Sequence, residues 1–484
     1  MASEKKYTRL VSNTAIVGMG TLGSKLLVYL LVRLYTSILT KEEYSVASNI
    51  TELATLLIPF ISLGIGEAVF RFSMDKSYRR EEVFTQGFVA VGLGALLLPF
   101  LALGLIRIPY FSDYVWLLFT YVLASALHTN CSQYIRAKAN FRLYALQGLL
   151  NTALTILFNI VFLIPLKMGV VGYVLSVAVA DLLSSLFMFL RARLWRDLTV
   201  KGLHKATLKA MLLYSLPLIP TTVSWWITNV SDRYMITYMQ GDTVNGLYAA
   251  AYKIPSLLMV LIGIFNSAWK YSAVEEREGE DGRAFFSNVY KSFLTCLFFV
   301  SALIIAFSGL LSLLMFGEDF RAAWVYIPIL TLAMAFSALS SFTGTVFIVE
   351  KKSRYSLITA LVAAVLNIVL NFLLIPRFTD PNTGAMGAAI ATLISYLVMF
   401  ALRLFFSTRL VKYRAYLGIT LLNTLTVFAM ALTVTFALPY RILLLAAFFG
   451  ILFLVNRKTV ITLVREAFSF VKKKLKSFTS RGAE

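Results

Sequence analysis

Charge is scarce in this chain. Only 14% of its 484 residues are Asp, Glu, Lys or Arg, and acids number 24 against 45 Lys and Arg. A soluble domain carries about 25% charged residues, so a globule of this size with a wetted surface is excluded. Cysteine is nearly absent. Cys131 and Cys296 both lie inside apolar segments, which excludes a disulfide framework. The two histidines have no metal-ligand neighbours in sequence: His128 sits in an apolar stretch and His204 in a basic one, and both read as structural. No glycine-rich phosphate loop followed by lysine occurs, so direct use of ATP is not expected. No metal, no cofactor and no catalytic constellation is expected either, and the chain does not read as an enzyme.

Apolar residues are what the chain has. They make up 59% of it, and mean hydropathy is +0.78. A helix needs about 20 predominantly apolar residues to cross a bilayer. Spans are predicted at about 12–36, 44–70, 83–105, 113–135, 143–165, 169–191 and 210–238, then at about 244–270, 285–308, 322–348, 355–376, 385–407, 415–437 and 440–456. The first stretch reads as a span and not as a cleavable signal, because no small-residue cleavage site follows a short apolar core. The expectation is an all-α polytopic membrane protein with about fourteen transmembrane helices.

The net charge of +21 does not form one patch, which argues against nucleic acid as a partner. Of the 45 Lys and Arg, 34 fall in the two tails and every second loop with the span ends that face them. Six fall in the alternate loops (Lys41, Arg107, Lys167, Arg321, Arg377 and Arg441), and five lie within spans. Positive residues concentrate on the cytoplasmic side. The asymmetry predicts an even number of spans with both termini in the cytoplasm. The basic tail after Arg457 reads either as a segment on the anionic inner leaflet or as a solvated tail.

Two stretches look like copies. Arg142–Arg193 contains Leu163-Ile164-Pro165 and then Gly169-x-x-Gly172, and Arg354–Arg403 contains Leu374-Ile375-Pro376 and then Gly384-x-x-Gly387. A weaker match pairs Tyr44–Leu57 with Asn245–Leu258. Six spans therefore occur twice in one orientation, a transporter architecture. The expected domains are an N-terminal six-helix bundle at 1–205, a second at 206–410, and two extra helices with a basic tail at 411–484.

Nine charges stand inside the spans: Lys25, Arg33, Glu52, Glu67, Asp181, Asp232, Arg233, Lys253 and Lys291. Each costs about 2.5–3.5 kcal/mol in hydrocarbon on insertion scales, so such residues face a polar interior. In the first span Thr14, Gly18, Thr21, Lys25, Tyr29, Arg33 and Thr36 follow steps of three and four and share one face. The seventh carries a similar stripe with Pro217, Thr221, Ser224, Thr228, Ser231 and Asp232, and its prolines predict a bend. Several cations around a cavity suit an anionic, phosphate-bearing substrate. Pairing of these charges with one another, as in Glu52 with Arg33, is the structural alternative.

Ser231-Asp232-Arg233-Tyr234, followed by Val244-Asn245-Gly246-Leu247-Tyr248 through Tyr252-Lys253, resembles the seventh and eighth helices of polysaccharide exporters. The paired Leu-Ile-Pro and Gly-x-x-Gly motifs resemble the same group, the multidrug/oligosaccharidyl-lipid/polysaccharide exporter superfamily. Its bacterial branches include Wzx-type oligosaccharide flippases and MurJ-type lipid II flippases. The resemblance implies two parallel six-helix bundles around a central cavity plus two C-terminal helices. It implies a monomeric flippase of the bacterial cytoplasmic membrane that moves an undecaprenyl-diphosphate-linked oligosaccharide or repeat unit outward by alternating access. The substrate-binding set would be Lys25, Tyr29, Arg33, Arg233, Tyr252 and Lys253, and the ion-coupling set Glu52, Asp181 and Asp232. A lipid II flippase and a drug/cation antiporter of the same superfamily are the alternatives. Its partners would be the lipid-linked glycan and membrane lipids.

Overall fold

The computed structural model describes residues 31–199, 203–275, 279–350 and 352–481. Among them every regular element is a helix, as hydrocarbon requires of a chain that must satisfy its own backbone. Ten of the described helices are long and apolar enough to cross a membrane, and helical residues fall on each of the fourteen predicted spans. The protein is an all-α polytopic membrane protein.

By packing, the chain forms two compact units: Met1–Ala250 with Leu313–Arg321, and Ala251–Ser312 with Ala322–Glu484. The sequence repeat puts its first boundary near residue 205. The packing boundary falls later because the seventh span is hydrogen-bonded to the second.

The first unit begins with α1 (residues 31–38) and α2 (Lys41–Ile61). A capping box starts α2: Glu43 N donates to Thr40 Oγ1 at 3.1 Å, and Thr40 N donates to Glu43 Oε2 at 2.9 Å. The second span is not one helix. It turns at Leu63 and Gly64, whose φ angles are 52° and 63°, and resumes as α3 (Ile65–Ser73). A side chain on Gly64 would be strained by that φ and would meet the Ser215 carbonyl oxygen at 3.1 Å. Next come α4 (Arg80–Ala95), α5 (Leu98–Leu105), α6 (Pro109–Ser112), α7 (Val115–Ala137), α8 (Phe141–Leu163) and α9 (Gly169–Arg191). Gly94 lets α4 cross the end of α2, since a Cβ there would lie 1.8 Å from the Ile61 carbonyl oxygen. The seventh span is α10 (Lys205–Ser215), a 3-10 turn at Leu216–Leu218 and α11 (Ile219–Gln240), broken where the prolines remove backbone donors. Ser215 Oγ donates to the Leu63 carbonyl at 2.7 Å, so the breaks in the second and seventh spans are tied together.

The helix α12 (Asp242–Glu275) starts in the first unit and continues in the second. The second unit holds α13 (Gly279–Ala306), most of α14 (Ser308–Met315), α15 (Ile327–Val349), α16 (Ser353–Leu374), α17 (Met386–Val411), α18 (Leu417–Thr435) and α19 (Arg441–Arg481). The unit is built around α15, which is almost wholly buried. Its neighbours α13, α16, α17 and α18 turn leucines and phenylalanines such as Leu303, Phe372, Phe405 and Leu425 outward, as lipid-facing helices do.

Arg403, inside the twelfth predicted span, is 4% exposed, and α17 runs two turns past it. Its guanidinium ties three helices together, donating to Thr359 Oγ1 at 3.0 Å and to the Ser340 carbonyl at 2.9 Å. The tail expected after residue 456 is a continuation of α19, which is 41 residues long. That is about 60 Å of helix, twice the thickness of the hydrocarbon. A reciprocal amide pair holds α18 to α19: Asn456 Nδ2 donates to Asn423 Oδ1 at 2.8 Å, and Thr295 Oγ1 of α13 donates to Asn456 Oδ1 at 3.0 Å.

Candidate functional site

The densest polar cluster of the first unit joins α2, α11 and the first turns of α12. Arg233 is 2% exposed, and its Nη1 donates to Glu52 Oε1 at 3.0 Å and to Ser48 Oγ at 2.9 Å. Glu52 keeps 24% of its side chain exposed. The pair therefore has one sealed partner and one that is partly open. Asp232 is equally buried and accepts from Tyr248 OH at 2.5 Å and from the Arg233 amide at 2.9 Å. Around them Tyr234 OH donates to the Asn49 carbonyl at 2.7 Å, Trp226 Nε1 to the Glu52 carbonyl at 2.7 Å, and Asn245 Nδ2 to Ser45 Oγ at 2.8 Å. Carbonyls of α2 are thus bound by side chains of α11. Such contacts fix the orientation of a guanidinium, because its fork cannot rotate away from two acceptors at once.

A second cluster surrounds Asp181 on α9, which is 8% exposed. Its carboxylate accepts from Ser125 Oγ of α7 and from Asn151 Nδ2 of α8, the latter at 2.8 Å. His128 Nδ1 faces the same carboxylate at 3.9 Å, while His128 Nε2 bonds Gln147 Oε1 at 2.8 Å. An amide oxygen only accepts, so Nε2 carries the proton and Nδ1 stands bare toward Asp181. A second proton there turns the contact into an ion pair. Tyr121 lies close enough to feel both Asp181 and Glu52 electrostatically.

The other sequence candidates lie elsewhere. Lys25 and Tyr29 fall outside the described residues. Arg33 is exposed on α1, and its Nη1 donates to the carbonyls of Leu313, at 2.8 Å, and of Phe316. It caps the C-terminal end of α14, where carbonyls lack helix partners. The structural alternative that paired Arg33 with Glu52 is replaced by this cap and by the Arg233–Glu52 pair. Tyr252 is buried and Lys253 half-buried on the part of α12 that belongs to the second unit. Glu67 is exposed on α3, and Lys291 lies over the Tyr416 ring at 5.1 Å. Among the described residues no group of three His, Cys, Asp or Glu side chains could hold a metal ion.

Sequence reasoning passed over Ser48, Ser125, His128, Gln147 and Asn151. The signal was present: Ser125 and His128 are three apart, and Gln147 and Asn151 four apart, on otherwise apolar spans. Polar side chains on one face of such a span mark a polar interior, as charges do.

The polysaccharide biosynthesis protein family matches residues 10–271, more than half of the chain. The chain belongs to that family. The matched region covers the Arg233 and Asp181 clusters. An uncharacterized membrane protein of Methanocaldococcus jannaschii is 25% identical over 443 residues, 84% of this chain and 99% of that one. Among solved structures, an inward-facing multidrug resistance MATE family transporter of the MOP superfamily superposes with a TM-score of 0.62 at 17% identity, over 83% of this chain and 98% of that one. A MOP superfamily transporter from Pyrococcus furiosus superposes with a TM-score of 0.57 at 16% identity, over 82% and 96%. It is described as having a binding pocket of reverse polarity that suggests a different function. At these identities the likeness shows the fold. The exporter-superfamily resemblance read from the sequence holds, and this polysaccharide biosynthesis family member is a multi-pass membrane protein with that fold.

Proposed function

We propose that this transporter flips a polyprenyl-diphosphate-linked glycan from the cytoplasmic to the outer leaflet of the cell membrane, exposing its site to the two sides in turn. The observation that carries the reading is the Arg233–Glu52 pair. A sealed guanidinium with a partly exposed carboxylate partner can exchange that carboxylate for an incoming diphosphate, whose oxygens match the guanidinium fork. Lys25, Arg33 and Lys253 would add charge to the headgroup path, and Tyr29 and Tyr252 would contact the sugars. A cytoplasm-negative potential favours outward movement of a dianion by about 5 kcal/mol per 100 mV. Asp181, with His128 beside it, would take up the coupling proton that resets the cycle, and Asp232 and Glu52 would share that charge. Both termini would lie in the cytoplasm, and one chain would suffice.

The test is complementation of a strain lacking its lipid-linked oligosaccharide flippase. Wild type should restore surface glycan, and Arg233→Met should not, although it inserts in the membrane. Rescue of a lipid II flippase deficiency instead would assign the substrate to peptidoglycan synthesis. Efflux of cationic dyes without glycan rescue would replace the reading by a drug/cation antiporter, one of the alternatives read from the sequence.

A further inference from the structure

Within the second unit a cavity of about 790 Å³ opens where α17 ends and α18 begins. It is lined by apolar side chains, among them Leu404, Phe405, Leu417 and Ile419, together with Tyr413, Arg414 and Tyr416. The connector Lys412–Tyr416 joins two membrane-spanning helices, so this cavity lies at one surface of the bilayer. The Lys and Arg distribution assigns that surface to the cytoplasm.

The charges around it are of one sign. Lys291 Nζ and the Arg414 guanidinium both lie 5.1 Å from the centre of the Tyr416 ring. The Arg409 guanidinium lies 3.9 Å from the Phe405 ring. Aromatic faces attract cations, but they do not neutralise them. No carboxylate is within ion-pair distance of these three cations among the described residues. The sequence from residue 381 to residue 465 contains no Asp or Glu at all. The connector is held in place: Lys412 and Tyr416 adopt left-handed φ angles of 56° and 44°, and the Arg414 amide donates to Ser287 Oγ at 2.8 Å. Non-glycine residues persist in that region only where the surroundings hold them.

A greasy chamber beneath a fixed pair of uncompensated cations matches a molecule with one anionic head and an apolar tail. We propose that this cavity binds an anionic glycerophospholipid of the bilayer, its phosphate between Lys291 and Arg414 and an acyl chain against Leu404, Phe405 and Leu417. The site is independent of the transport substrate and of the Arg233 cluster. It would make the second unit responsive to the anionic lipid content of the cytoplasmic leaflet.

Native mass spectrometry of the purified full-length protein, titrated with phosphatidylglycerol or phosphatidylcholine of identical chains, tests this. Wild type should bind the first phosphatidylglycerol at least tenfold more tightly than phosphatidylcholine. Arg414→Gln should reduce that preference below threefold. Gly418→Phe, at a position where an added Cβ meets nothing within 4 Å, should fill the chamber and weaken both lipids. Arg441→Gln, at the other end of the helix pair, should change neither. Equal binding of the two lipids to wild type, or an unchanged preference in Arg414→Gln, overturns the proposal. So does displacement of the tight phosphatidylglycerol by one equivalent of undecaprenyl diphosphate, which would assign the cavity to the transported lipid.

Discussion

Replacing Glu52 by Gln is the sharpest perturbation of the proposed substrate site. Gln keeps the length and one acceptor but removes the charge facing a guanidinium that is 3% exposed. Removing one partner of a fully buried pair costs about 3–5 kcal/mol, and exposed pairs are worth about 0–1 kcal/mol. Glu52 is 24% exposed and Ser48 still accepts from Arg233, so the loss should lie between, at about 2 kcal/mol. For a unit of this size that lowers the apparent Tm by about 5 °C. Arg233→Met should also destabilise, and the double variant should recover about 2 kcal/mol relative to the sum of the singles. Thermal unfolding in detergent measures all four proteins. With undecaprenyl diphosphate added, Glu52→Gln should bind at least fivefold more tightly than wild type, because no internal carboxylate competes for Arg233, and Arg233→Met should not bind. Additivity of the two substitutions within about 0.5 kcal/mol would show that the pair does not couple. Equal affinity of wild type and Glu52→Gln would show that Glu52 is a structural partner and not a displaceable one.

Asp181→Asn keeps the acceptor for Asn151 but cannot hold a proton, so flipping in proteoliposomes should fall at least tenfold and lose its dependence on a pH gradient; full activity at every pH would remove Asp181 from coupling. Gly94→Val places a side chain against the Ile61 carbonyl, which a Cβ would meet at 1.8 Å, so the variant should fail to accumulate as folded protein in the membrane. Arg403→Lys cannot bridge Thr359 and Ser340 together and should lower stability by about 1–3 kcal/mol without altering substrate affinity. Asn456→Leu removes the amide pair between α18 and α19 and should cost about 1 kcal/mol, read as faster proteolysis of the α18–α19 pair.

Composition and periodicity were enough for the membrane class, the all-helical fold and the bend in the seventh span, because each is a property of local sequence. Hydrocarbon admits only helices or closed barrels, and runs of about 20 apolar residues name the helices directly. Which buried charges meet was decided by packing. Arg33 and Arg233 are both cations within spans, yet one caps the carbonyls of Leu313 and Phe316 and the other binds Glu52. Nothing in the spacing of Glu52 and Arg233, 181 residues apart, specifies that contact. It depends on Tyr234 and Trp226 docking α11 against the carbonyls of α2. The same holds for Arg403, which is buried because α15 and α16 offer it oxygens. The chain itself determined that charges within the spans would be costly in lipid; only the tertiary structure decided which neighbours compensate Arg33, Arg233 and Arg403, since that choice is made by residues far apart in sequence.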